Sequence, residues 1–257
     1  MSSDIRAKLD GRVLVVTLDR PAKRNAITAS MYAAMASAIE NAQREDEVRA
    51  VLLRGEGGNF TSGNDIGLFV AGDNAPHDES PAAPFLRAVL SLQKPMVACV
   101  RGHAVGIGAT VLLHCDYVVA SDDARLRFPF VDLGLCPEFA STLLLQKVVG
   151  RSKATEWLLL GTPVPAAEAF LAGLVNRVMS ADLAEEEALS IAKRLAGKPQ
   201  QALMATRQLI RSDVNESAVT RIERESAVFD SLRRSSEAQE IFKAFLNRQP
   251  DKVAARA

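Results

Sequence analysis

An α/β fold with a helical C-terminal extension is predicted by the order of the apolar segments. Up to about residue 128, short runs rich in β-branched residues alternate with helical patterns, which is typical of stacked β-β-α or β-α-β units. Beyond residue 138, almost every apolar pattern has the spacing of a helix. The 257 residues, 48% of them apolar, suffice to bury a substantial core.

The first half of the chain divides into strands, one clear helix and one long loop. The predicted strands are "RVLVVTLD" (12–19), "AVLLRG" (50–55), "PMVACV" (95–100) and "DYVVAS" (116–121). A helix is predicted from Ser30 to Ala42, with Thr28 or Ser30 as its cap. Its apolar face comprises Met31, Met35, Ala38, Ile39 and Ala42. The glycine, prolines and acids of 70–84 predict a mobile surface loop.

The C-terminal half shows three helical stripes. These are Ala184, Ala188, Ile191 and Leu195, then Val219, Ile222 and Phe229, then Ala238, Ile241 and Phe245. Ser236 and Gln239 have the spacing of a capping box before the last helix. No repeat or flexible linker interrupts the sequence, so we expect an α/β core over 1–195 and a helical region over 196–257.

Composition excludes several classes of protein. The 31 basic and 31 acidic residues cancel, so nucleic acid and anionic membranes are not expected partners. Cys99, Cys115 and Cys136 lack CxxC spacing and indicate thiols in a reducing compartment. The three histidines are scattered along the sequence, so no metal site is expected. Without a signal peptide, a membrane span or a peroxisomal SKL address, the expected location is the cytoplasm.

The glycines of "RGHAVGIGATVLLHCD" (101–116) indicate a turn that presents backbone amides. Gly106 and Gly108 flank Ile107 where a helix should begin, so free N–H groups and the helix dipole favour negative charge there. Val111 stands where a dinucleotide motif needs its third glycine, and no G-K-[ST] triplet exists. Alone, this stretch favours a tight turn without a ligand.

A second stretch, "NFTSGNDIGLF" (59–69), repeats the pattern. Gly63 follows a β-run and lies between small polar residues. Two such turns could each direct one N–H at a single oxygen, forming an oxyanion hole worth about 3 to 4 kcal/mol per donor. The expected role of Asp65 is to hold this turn by accepting backbone N–H bonds, not to react.

Taken together, five blocks resemble the enoyl-CoA hydratase/isomerase family, which has the crotonase fold. In chain order they are "RPAKRNAIT" (20–28), "FTSGNDI" (60–66), "RGHAVGIGATVLLHCDYVVAS" (101–121), "FPFVDLGLCPE" (128–138) and "GRSKATEWLLLGTPVPAAEAFLAGLVNRV" (150–178). The resemblance implies a spiral of β-β-α turns and an acyl-CoA thioester substrate, with no cofactor beyond its coenzyme A. It also implies that 196–257 covers the active site and forms homotrimers or dimers of trimers.

The resemblance implies roles for particular residues. The N–H groups of Ser62 and Ile107 would bind the thioester oxygen, supported by turn residues Gly63, Asp65, Gly106 and Gly108. Asn25 and Ala26 match a loop that lies along coenzyme A, chiefly through backbone contacts. Phe242, Phe245 and Lys243 could contact coenzyme A from the last helix, or could simply pack at the surface.

Departures from the family pattern bear on the reaction. Thr110 and Phe130 replace the two glutamates with which hydratases activate water, so we expect them only to contact substrate. Glu138 matches the single base of the peroxisomal type of 3-enoyl-CoA to 2-enoyl-CoA isomerase. One carboxylate suffices for that reaction, because it removes a proton next to the thioester and returns it at the γ carbon.

The surroundings of Glu138 are predicted to be apolar. The neighbours expected to desolvate its carboxylate are Phe128, Phe130, Leu135, Cys136 and Phe139. In the alternative, Glu138 only stabilises a helix that begins near residue 138. Asp132 is a weaker second candidate for the base. His103 and His114 are expected to pack or to bond a carbonyl.

Three functions therefore stay open. The first is an isomerase that uses Glu138. The second is another enolate reaction in the same pocket, such as ring-expanding isomerisation, decarboxylation, thioester hydrolysis or slow hydration. The third is a catalytically weak CoA-binding protein that has lost the hydratase acids.

Overall fold

A computed structural model describes residues 4–65, 68, 80–212, 236 and 240. The chain divides into two compact units between Ala196 and Gly197. Within the first unit, strands and helices alternate as the sequence predicts, and the α/β core is confirmed.

Six strands form the main sheet in the order β1-β2-β3-β4-β6-β9. Only β1 and β2 are antiparallel, and each later neighbour is parallel. A second sheet has the order β5-β7-β8. The strands are β1 (Ile5–Asp10), β2 (Val13–Leu18), β3 (Ala50–Gly55), β4 (Met96–Val100), β5 (His103–Val105), β6 (Tyr117–Ser121), β7 (Arg125–Arg127), β8 (Val164–Pro165) and β9 (Arg177–Met179).

The four predicted strands are confirmed as β2, β3, β4 and β6. Helices or the second sheet cover both faces of β4, where all five residues are buried. This explains a continuous apolar run without alternation. The edge strand β1 escaped prediction, because its residues are exposed or half-buried and carry charges.

Seven helices accompany the sheets within the described ranges. They are α1 (Ala29–Arg44), α2 (Ala83–Ser91), α3 (Ile107–Thr110), α4 (Ser141–Leu160), α5 (Ala166–Leu171), α6 (Ala184–Ala196) and α7 (Gln200–Arg211). The predicted cap of α1 is confirmed, because the Thr28 hydroxyl accepts a hydrogen bond from the Met31 N–H. The first C-terminal stripe is also confirmed, since Ala184, Ala188 and Ile191 are buried in α6 against the main sheet.

Two predicted boundaries differ from the structure. Ala83 and Pro84, assigned to the loop over 70–84, begin α2, because proline is well tolerated in a first helical turn. The helix expected near residue 138 begins only at Ser141, and Gly150 interrupts it with φ of 79°.

Some predictions concern residues that the structure does not describe. Residues 70–79 and the two stripes over 219–245 lie outside the described ranges, whereas Ser236 and Glu240 are helical. No helix in the described part of the chain is long and apolar enough to span a bilayer.

Candidate active site

The two glycine turns lie side by side because they follow neighbouring parallel strands. Strands β3 and β4 are parallel, so the segments after them leave the same edge of the sheet. Thr61 joins the two segments: its N–H donates to His103 O (2.8 Å), and its carbonyl accepts from Val105 N (3.1 Å). The predicted juxtaposition of these turns is therefore present.

The glycines permit this close approach. A Cβ atom at Gly108 would lie 2.3 Å from Thr61 Cγ2, and one at Gly63 would lie 2.9 Å from Val105 O. Gly63 and Gly106 also have φ of 90° and 57°, in the left-handed region that side chains disfavour. The sequence removes side chains here so that the two backbones can meet.

Hydrogen bonding in the first turn corrects the choice of donor. Four of its five amides are engaged: Thr61 with His103 O, Ser62 with Arg24 O, Gly63 with Thr61 Oγ1 and Asp65 with Ile27 O. The Ser62 N–H, at 2.9 Å from its acceptor, is therefore occupied. The Asn64 N–H has no acceptor among the described residues, and it replaces Ser62 as the candidate donor.

The second turn presents the amide that the sequence predicts. Ile107 is the first residue of α3, so its N–H has no acceptor within the helix. No acceptor outside the helix is found for it in the described ranges, whereas the Gly106 N–H donates to Arg127 O. Asn64 and Ile107 thus supply one available amide from each of two adjoining turns.

The side chain of Asn25 has a structural role in the loop that is predicted to lie along coenzyme A. It is fully buried, and its side chain accepts from Arg20 N (2.8 Å) and donates to Glu56 O (2.9 Å) and Asn59 O (2.7 Å). These bonds fasten the loop over 20–26 to the segment after β3. Ala26, beside it, is half-buried and remains the candidate for a contact with coenzyme A.

The Asp65 carboxylate also bonds to the Arg20 guanidinium, a partner that the sequence did not predict. Its Oδ2 accepts a hydrogen bond from Arg20 Nη1 (2.7 Å), and the same Arg20 nitrogen donates to Ala26 O (2.9 Å). The Asp65 carboxylate therefore links the first turn to the loop over 20–26.

Glu138 lies on a strained segment just before α4. Phe139 and Ala140 have φ of 57° and 55°, which costs a non-glycine residue about 1 to 2 kcal/mol each. Two contacts hold this segment: the Ser141 hydroxyl donates to Glu138 O (2.6 Å), and His114 Nε2 lies 2.9 Å from Phe139 O. The His114 ring also stacks on Phe139 at 3.8 Å, so its predicted packing role is confirmed.

The surroundings of Glu138 are partly those predicted. Phe128, Phe130 and Phe139 are buried, as a desolvating environment requires, whereas Leu135 and Cys136 are exposed. Glu138 itself is half-buried and precedes the first residue of its helix by three positions. The helix-stabilising alternative, which placed it at the start of that helix, is weakened accordingly.

Tyr32 connects Glu138 to the first turn. Burial, and next the negative charge of Glu138, raise the pKa of Tyr32 well above its ordinary range. The Tyr32 hydroxyl donates a hydrogen bond to the Asn64 side chain. Tyr32 and Asn64 were not predicted as site residues. The signal in the sequence was a phenol next to Met31, on the apolar face of α1.

The remaining candidates do not add an acid to this group. Asp132 is exposed and pairs with Arg127 (3.1 Å). Thr110 is buried, and its hydroxyl donates to Ile107 O (3.4 Å). Phe242 and Lys243 lie outside the described residues. Within those residues, no group of three His, Cys, Asp or Glu side chains could hold a metal ion.

Comparison with known proteins decides the family. The sequence profile of the family described as "Enoyl-CoA hydratase/isomerase" matches residues 8–253. The chain belongs to the enoyl-CoA hydratase/isomerase family. Its fold is therefore the α/β crotonase fold of β-β-α units with C-terminal helices, and acyl-CoA thioesters are the substrate class that the family implies.

Solved structures agree with this family. A protein from Magnetospirillum magneticum AMB-1 superposes with a TM-score of 0.93 at 36% identity, over 97% of this chain and 98% of that one. An enoyl-CoA hydratase from Polaromonas sp. JS666 gives a TM-score of 0.88 at 30% identity, over 95% and 97% of the two chains.

Relatives within the hydratase/isomerase family catalyse different reactions. The 2,3-dehydroadipyl-CoA hydratase of Escherichia coli is 31% identical over 97% of this chain and 98% of its own length. Enoyl-CoA delta isomerase 2 of Rattus norvegicus is 33% identical over 97% of this chain, which spans 65% of the rat protein. Identity therefore favours neither branch, and the predicted preference for the isomerase branch is not established.

Proposed function

We propose that this chain is an isomerase that converts 3-enoyl-CoA thioesters into 2-enoyl-CoA thioesters. The observation that carries the proposal is the hydrogen bond of the buried Tyr32 hydroxyl to Asn64, together with the effect of the Glu138 charge on the same phenol. The Glu138 charge thus acts on the same buried phenol that binds the side chain of Asn64, the residue with the available backbone amide. That is the pairing of base and oxyanion donor that enolate chemistry requires.

In the proposed reaction, the Glu138 carboxylate takes a proton from the α carbon of the substrate. The electron pair of that C–H bond moves towards the thioester oxygen as an enolate, which the N–H groups of Asn64 and Ile107 stabilise. The Glu138 acid then returns the proton to the γ carbon and is ionised again. The double bond moves from between the β and γ carbons to between the α and β carbons, and no water is consumed.

The absence of the hydratase acids supports isomerisation over hydration. Thr110 and Phe130 occupy the two positions from which hydratases hold water, and neither side chain can act as a base near neutral pH. Phe130 is also buried among apolar neighbours, which disfavours an ordered water there.

Substitution of the proposed base tests the assignment. Glu138→Gln keeps the shape of the side chain but removes its proton transfer, so kcat on 3-enoyl-CoA thioesters should fall by about 10²- to 10⁴-fold. Glu47→Gln, at an exposed position in the loop after α1, is the matched control and should retain wild-type turnover. Wild-type turnover by Glu138→Gln would show that another group moves the proton.

Mass spectrometry of products separates the competing functions. A panel of CoA thioesters, with the products separated by chromatography, should yield an isomer of unchanged mass but altered retention, whereas hydration adds the mass of one water. Decarboxylation lowers the mass of the thioester by one CO2, and thioester hydrolysis yields free coenzyme A and a carboxylic acid. Tight acyl-CoA binding without turnover on any thioester would instead support a catalytically weak CoA-binding protein.

We also propose assembly into a homotrimer or a dimer of trimers. Helices α4 and α5 leave large apolar side chains exposed in the single chain: Leu159 (59%), Leu160 (62%), Phe170 (47%) and Leu171 (84%). Burying such residues between copies is favourable. Light scattering should give three or six times the mass of one chain, and the mass of a single chain would contradict this proposal.

A further inference from the structure

Tyr32 is a buried polar residue in the first turns of α1. None of its surface is exposed, and its ring packs against Phe85 of α2 with centroids 5.8 Å apart. A buried hydroxyl needs a hydrogen-bond partner, because leaving it unpaired is costly. The partner here is Asn64 Oδ1, so a residue deep in the core holds a residue of the candidate oxyanion hole.

The direction of this hydrogen bond is fixed by chemistry. Burial and the negative charge of Glu138 raise the pKa of Tyr32 well above its ordinary range, so the phenol keeps its proton throughout the neutral range of pH. A protonated phenol can donate a hydrogen bond, and the Asn64 carboxamide oxygen is the atom that accepts it here. Tyr32 therefore sets the orientation of the Asn64 side chain.

The backbone on each side of Asn64 is also restrained. Ile27 N donates to Gly63 O (2.8 Å), and Asp65 N donates to Ile27 O (2.9 Å). The side-chain bond to Tyr32 adds a third fixed point to the same short segment. Together these bonds limit rotation of the Gly63–Asn64 peptide, whose N–H is the available donor.

We propose that Tyr32 is a positioning residue, whose hydroxyl holds Asn64 so that the Asn64 N–H points at the thioester oxygen. This inference rests on the proposed oxyanion hole, but it does not depend on which reaction follows enolate formation. Misalignment of a donor weakens its bond to the developing charge more than it weakens substrate binding. Loss of the Tyr32 hydroxyl should therefore lower kcat and leave KM nearly unchanged.

Tyr32→Phe is the direct test, because it removes one oxygen and keeps the ring that packs against Phe85. We expect kcat to fall about tenfold, as partial loss of one oxyanion donor predicts, with KM within about twofold of wild type. The matched control is Tyr117→Phe, which alters the chain's other tyrosine in β6 and should leave both constants unchanged. Thermal unfolding of each variant reports whether it is folded.

A spectroscopic measurement separates positioning from general stability. Crotonyl-CoA with an isotopically labelled thioester carbonyl is bound to the full chain, and the carbonyl stretch is followed by infrared difference spectroscopy. Polarisation by two amides lowers this frequency. Tyr32→Phe should lose a substantial part of the shift, and Asn64→Ala should lose a similar part. The double variant should be no worse than Asn64→Ala, because the two residues act as one unit.

Each outcome decides a different claim. If wild type shifts the carbonyl but Tyr32→Phe shifts it equally, Tyr32 is not a positioning residue, whatever its effect on thermal stability. If wild type shows no shift, the oxyanion hole itself is wrong and the inference fails with it. If the shift depends on Tyr32 but no isomerisation is detected, the inference stands and the proposed reaction fails.

Discussion

Substituting Gly108 by alanine should push the two amide turns apart. The new Cβ would lie 2.3 Å from Thr61 Cγ2, whereas ordinary carbon contacts are about 3.5 to 4.0 Å, so one turn must move by about 1 Å. Alanine is favoured over glycine within helices by about 1 kcal/mol, but such overpacking costs about 1 to 3 kcal/mol. We therefore expect the free energy of unfolding to fall or to stay unchanged, although alanine is the better helix former.

Gly108→Ala should affect the turnover rate more than it affects the stability of the fold. A displacement of about 1 Å between donors that share one oxygen can lower turnover by about 10²-fold. Steady-state kinetics on a 3-enoyl-CoA thioester, compared with thermal unfolding of the same sample, would measure both effects.

Thr61→Ser provides the matched rescue. Serine removes the obstructing Cγ2 methyl but keeps the hydroxyl that donates to Asn25 O and accepts from Gly63 N. The atoms next nearest to the added Cβ, Thr61 O and Cβ, lie at 3.5 and 3.7 Å, which are ordinary contacts. The double variant should regain most of the lost turnover. Equal impairment of the single Gly108→Ala variant and the double variant, or full activity of Gly108→Ala, would refute this explanation.

Three further predictions concern other parts of the core unit. Burial raises the pKa of the Cys99 thiol to about 12, so iodoacetamide at pH 8 should modify the exposed Cys136 and spare Cys99. Peptide mass spectrometry would measure this, and rapid labelling of Cys99 in the folded protein would contradict its burial. Lys94→Met should lower the free energy of unfolding, measured by urea titration, by about 2 kcal/mol, because the buried ammonium group donates to two carbonyls at the end of α1. The control Lys8→Met, at an exposed position, should change this free energy little. Asp132→Asn should keep wild-type turnover, and a large loss would restore this acid as a candidate base.

The sequence predicts the parallel strands well because burial on both faces leaves unbroken apolar runs such as "PMVACV". It also predicts the meeting of the two turns, since glycines after neighbouring strands indicate close backbone approach. The edge strand β1 is harder to predict, because its exposed residues carry no apolar signal.

The choice between Ser62 and Asn64 shows where sequence reasoning stops. Both are small polar residues beside Gly63, and composition cannot tell which amide faces inwards. The difference arises from a long-range bond, since Arg24 O accepts the Ser62 N–H. The structural role of the Asn25 side chain escaped prediction for a similar reason, because its amide nitrogen binds backbone groups more than thirty residues away along the chain.

The proposed reaction depends on one arrangement of atoms, which a crystal structure with a bound 3-enoyl-CoA analogue would measure. It predicts that the thioester oxygen lies about 3 Å from the N atoms of Asn64 and Ile107. It also predicts that the Glu138 carboxylate lies within about 3.5 Å of the α carbon. A thioester oxygen bound by other donors, or a Glu138 carboxylate turned away from the acyl chain, would contradict it.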